Sequence, residues 1–162
     1  MNKAVTSFLL IAALGGVLMA LSLAVARHGY PFGMMGVRRL DGIASAQNFL
    51  PLAAIYFFSA MLMMILPLKA AGFVLVNAAD ALMWAAIALL AAIVGCVLAR
   101  WAFGQSSILR SLLDWRFIFP LAIVGCHLGL NALRRNVLLR SLAFAGFAAL
   151  TLACLFWNFR LA

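Results

Sequence analysis

Residues 81–99 read ALMWAAIALLAAIVGCVLA, a stretch with no charged residue and no proline. As a helix it would rise about 28 Å at about 1.5 Å per residue, close to the roughly 30 Å of hydrocarbon in a bilayer. Four more apolar stretches flank it, at residues 4–26, 49–68, 117–133 and 141–159. Each is continuously apolar. A membrane barrel strand would instead alternate in polarity over pieces of about ten residues. Helices and closed barrels are the only folds that satisfy backbone polar groups in lipid. The pattern therefore predicts an all-α integral membrane protein, a bundle of five transmembrane helices.

Composition points the same way. Hydrophobic residues make up 69% of the 162 and charged residues 9%. Soluble domains stay near half apolar, so lipid is the solvent that this chain matches. The runs leave only short loops, and residues 1–162 read as one transmembrane helical domain. The span count depends on residues 70–79 (AAGFVLVNAA), which are apolar enough to extend a neighbouring helix. Merging them into the third run would leave four spans. Pro51 is expected in the first turn of the second run, where a missing N–H costs nothing.

The first run follows Met1-Asn2-Lys3 and ends in Ala24-Val25-Ala26, which resembles a secretory cleavage site. It is longer than the roughly 7–15 residues of a signal core and reads as a retained span. The connection 27–48 is expected to lie along the headgroups. Residues 106–114 (SSILRSLLD) put Ile108, Leu109, Leu112 and Leu113 on one helical face, with Arg110 and Asp114 opposite. That pattern predicts a short interfacial helix.

The formal charge is +9, from 12 Lys and Arg against 3 acidic residues. The basic residues stand in ones, twos and threes between apolar runs, where phospholipid headgroups are their natural partners. No continuous basic surface with stacking aromatics is present, which argues against nucleic acid. Positive charge divides almost evenly between the two faces of a five-span bundle, so the positive-inside rule assigns no orientation.

All three acids are aspartates: Asp41, Asp80 and Asp114. Each precedes a helical stretch and reads as an N-cap, accepting bonds from free first-turn N–H groups. On that reading the bundle has no carboxylate in its interior, and proton or cation transport loses its usual group. Cys96, Cys126 and Cys154 lack CxxC spacing and read as small core residues. No metal site or cofactor is expected.

Three groups of residues carry functional expectations. Arg27, Arg38, Arg39, Arg100, Arg110 and Arg116 lie near span ends, with Tyr30, Trp101, Trp115 and Trp157 at similar depth. They form an interfacial belt or, alternatively, a guanidinium cluster for an anionic lipid or polyprenyl-phosphate head. His127 is polar at mid-span, where it bonds a neighbouring helix through groups such as Asn131 or contacts a quinone or a haem. It cannot share one haem iron with His28: counted from one membrane face, the two differ in depth by about 15 Å. Ala91, Gly95 and Ala99 recur every four positions and mark a close helix contact.

The most economical reading is a small non-catalytic integral subunit or accessory protein of a larger membrane complex. Its expected setting is the bacterial inner membrane, with phospholipids and a partner subunit or second copy as neighbours. The alternatives are a protein that binds, flips or modifies an anionic lipid on the arginine-rich face, and an electron-transfer subunit using His127.

Overall fold

A computed structural model describes the backbone of residues 3–43, 46–66, 68–105 and 115–161. It describes the side chains of 3–43, 50–66, 72–105 and 117–157. Among the described residues there are six helices and no strand. They are α1 (Lys3–Arg27), α2 (Pro31–Ile43), α3 (Ala46–Ile65), α4 (Leu68–Ala102), α5 (Trp115–Leu133) and α6 (Val137–Leu161). Three stretches are long and apolar enough to cross a membrane: Lys3–Arg27, Gly72–Ala102 and Val137–Trp157. Leu50–Ile65 and Phe117–Leu133 are shorter apolar helices. The chain is an all-helical membrane protein.

Three expectations need correction. Residues 81–99 are not a helix by themselves. They continue an unbroken 35-residue α4, because residues 70–79 keep the helix going and neither Asn77 nor Asp80 ends it. Asp80 is therefore mid-helix and caps nothing. Asp41 is likewise inside α2, near its C-terminal end, and turns its carboxylate to Arg100. Pro51 falls in the second turn of α3, because the helix starts earlier than expected, at Ala46. The interfacial helix expected at 106–114, with Arg110 and Asp114, lies outside the described residues, as does the side chain of Arg116.

The helices group into two compact units. The first contains α1, α2 and the Ile87–Ala102 part of α4. Gly29 (φ 81°) turns the chain after Arg27, and α2 folds back onto α1. The fit there is backbone to backbone: a Cβ at Gly33 would overlap the backbone of Ala26. Met19, Leu23, Val37 and Ala99 form this unit's core. Nearer the N-terminus of α1, a Cβ at Gly95 would overlap the carbonyl oxygen of Ala12 and crowd Gly16 N at 2.8 Å. Small residues thus set the approach of α1 and α4, as close packing in lipid requires.

The second unit contains α3, the first half of α4, most of α5, and α6. Its core is built from α3 (Leu50, Ala53, Tyr56, Phe57, Ala60, Met64), with Ala79 and Ala86 of α4, Ile123 and Leu130 of α5, and Phe147 and Cys154 of α6. Phe57 stacks on Phe147, ring centroids 6.2 Å apart. Hydroxyls inside this apolar setting bond back to their own helix. Ser59 Oγ donates to Ile55 O and Thr151 Oγ1 to Phe147 O, both at 2.8 Å, which removes the cost of a bare hydroxyl in lipid.

Candidate functional site

The second unit brings three polar side chains together from three helices. α5 buries the face carrying Pro120, Ile123, His127 and Leu130, so the imidazole is carried inward with its apolar neighbours. Asp80 comes from α4, and its Oδ1 lies 3.1 Å from His127 Nε2. Tyr56 comes from α3 and is fully buried; its ring centroid is 6.1 Å from the imidazole. Phe57 meets the tyrosine ring edge-on at 5.6 Å. Apolar packing of α3 and α5 therefore fixes the tyrosine and histidine, and α4 supplies the charge.

All three side chains lie well inside their helices. Met64 and Ile65 at the end of α3 adjoin Arg140 and Ser141 near the start of α6, so the α5–α6 turn lies at the Ile65 end of the unit. Counted from that end, Tyr56 is nine residues before Ile65, or about 13 Å. His127 is six residues before Leu133, or about 9 Å. Asp80 is twelve residues beyond Leu68, or about 18 Å. None of the three is at a helix end.

The geometry dictates the proton pattern. A carboxylate only accepts, so the Nε2–H of His127 donates to Asp80, and a neutral ring would then carry its lone pair on Nδ1. His127 Nδ1 and Tyr56 Oη are both buried, and neither has a hydrogen-bond partner. Leaving such groups unmade costs roughly 1–3 kcal/mol each. The carboxylate differs: the Asp80 side chain is 49% exposed against 19% for His127. The cluster is thus open at its acid and closed at its ring and phenol.

The partner of His127 is Asp80 and not Asn131, which is exposed. The pairing was hidden because Asp80 reads as a cap only while residues 70–79 are taken for a loop.

The arginines are distributed differently. Arg100 pairs with Asp41, its Nε remaining buried without a partner. Arg27 lies over the Phe103 ring at 5.7 Å. Arg38 and Arg39 are exposed on α2. Ala91, Gly95 and Ala99 are buried on α4, with Gly95 against α1. Cys96 is half-buried there, its Sγ 3.9 Å from the carbonyl of Gly15. Among the described residues no group of three or more His, Cys, Asp or Glu side chains is arranged to hold a metal ion. No protein family, curated protein or solved structure matches this chain.

Proposed function

We propose that the chain is a small, non-catalytic integral subunit or accessory protein of a larger complex in a bacterial inner membrane, anchored by five spans. At 20 and 19 residues, α3 and α5 are each about 28–30 Å long, enough to cross the hydrocarbon with α1, α4 and α6, so on this reading the continuous α4 lengthens one span and, against the four-span expectation, removes none. A helical architecture suits the inner membrane, since outer-membrane proteins are typically barrels.

The observation that carries the subunit reading is the outer face of α5. Leu121, Gly125, Leu128 and Ala132 are exposed, and a Cβ at Gly125 or Gly129 would meet nothing within 4 Å. Glycines one turn apart on a membrane helix mark a contact surface for another helix, and the α4 glycine of the same chain is already filled. The partner is a second membrane subunit, with a second copy of this chain as the variant of the same idea. Native mass spectrometry of the tagged chain from its own membranes in mild detergent should give a complex of fixed stoichiometry. Gly125→Leu should dissociate it while the chain stays folded. A monodisperse monomer carrying only lipid would contradict the reading.

Two further readings have specific support. The orphaned Nδ1 of His127, in a ring oriented by a carboxylate, has the form of a cofactor-facing histidine. A haem or quinone there would make the chain an electron-transfer subunit, visible as absorbance in the purified protein. Arg38 and Arg39, exposed beside Tyr30, Phe32 and Met35, suit an anionic lipid headgroup.

A further inference from the structure

We propose that His127, Asp80 and Tyr56 form a reversible proton-binding site within the membrane, with the proton itself as ligand. The inference goes beyond the subunit reading and does not depend on it. It starts from the two orphaned atoms. An interhelical strut needs one hydrogen bond, which Asp80 and His127 already make. It does not call for a second buried imidazole nitrogen and a buried phenol left without partners 6.1 Å apart, ring to ring. Buried polar groups of that kind ask for an explanation.

The proton balance supplies one. Before uptake, Asp80 is a carboxylate accepting Nε2–H, the ring is neutral, and the pair carries one negative charge. A proton added at Nδ1 forms one N–H bond and breaks none in the protein. The pair becomes carboxylate plus imidazolium, neutral overall, which a low-dielectric setting tolerates far better than a lone charge. The new Nδ1–H needs an acceptor, a role that falls to the unpartnered phenol oxygen of Tyr56, whose ring centroid is 6.1 Å from that of the imidazole. Release reverses each step and returns Nδ1 to a lone pair. Among the described residues, the other titratable groups in or against this core are Cys126 on α5 and Cys154 on α6. Protonatable chains of this type are how helical membrane proteins hold protons in transit.

A quinone ring needs a cavity against His127, whereas a proton needs only the lone pair and an acceptor.

The chain contains only two histidines, His28 and His127, so ¹⁵N-histidine NMR of the full-length protein in lipid nanodiscs reads the site directly. His28→Gln leaves a single imidazole. Its ring should convert from the Nε2–H tautomer to imidazolium within the pH window over which the protein stays folded. Tyr56→Phe should displace the Nδ1 signal of the charged form, and Asp80→Asn should abolish that form across the window. A ring that stays in one state throughout, while His28 in the unaltered chain titrates, overturns the proposal. So does a non-titrating, paramagnetically broadened ring, which would assign Nδ1 to a metal-bound cofactor. If Asp80→Asn does not fold, the His28→Gln and Tyr56→Phe proteins still decide the question.

Discussion

Tyr56 and His127 show why stability and function must be read separately at single residues. The Tyr56 hydroxyl is buried without a bond, so removing it relieves a desolvation cost. With His127 in its neutral form, Tyr56→Phe should raise stability by up to about 1 kcal/mol in denaturant titrations in mild detergent. A loss of stability would mean that the hydroxyl is bonded and the orphan reading wrong. The Asp80–His127 contact should behave oppositely. A double-mutant cycle of Asp80→Asn and His127→Gln should return a coupling of about 0.6–1.7 kcal/mol, the range for polar contacts between membrane helices. Coupling near zero would separate the two side chains. His127 was legible in the sequence as a polar group at mid-span, but its partner was not. An aspartate after an apolar stretch looks like a cap unless the helix is known to continue through it.

Helix boundaries in this chain follow satisfaction of polar groups more than apolarity. α1 was readable because no charge interrupts it between Lys3 and Arg27. α4 was not, because Asn77 and Asp80 resemble a break, yet a carboxylate paired across helices does not stop one. α2 was missed for a different reason. Gly33, Gly36 and Gly42 give Pro31–Ile43 the composition of a loop, whereas Gly33 and Gly36 serve the close approach to α1. Two substitutions test this. Gly33→Ala drives a methyl into the Ala26 backbone, which cannot yield, while Gly36→Ala meets the side chain of Ser22, which can rotate. Spin-label distances between α1 and α2 should broaden for Gly33→Ala and stay near the parent's for Gly36→Ala. Equal effects would mean that the glycines do not set the contact. At the α1–α4 contact, Gly95→Leu should cost on the order of 3 kcal/mol or more, because the carbonyl of Ala12 occupies the space.

At the scale of the molecule, the proposed functions rest on how many helices cross the bilayer. Length and apolarity single out three. The case for a proton or cofactor site inside the membrane requires α3 and α5 to cross as well, since they carry Tyr56 and His127. The most direct measurement is labelling of single cysteines by an impermeant maleimide in oriented membrane vesicles, in a background lacking Cys96, Cys126 and Cys154. Gly104→Cys and Asn136→Cys flank α5, and Gly42→Cys and Leu66→Cys flank α3. Five spans predict that the two members of each pair react from opposite faces. Reaction of Gly104→Cys and Asn136→Cys from the same face would leave α5 on the membrane surface and contradict the account.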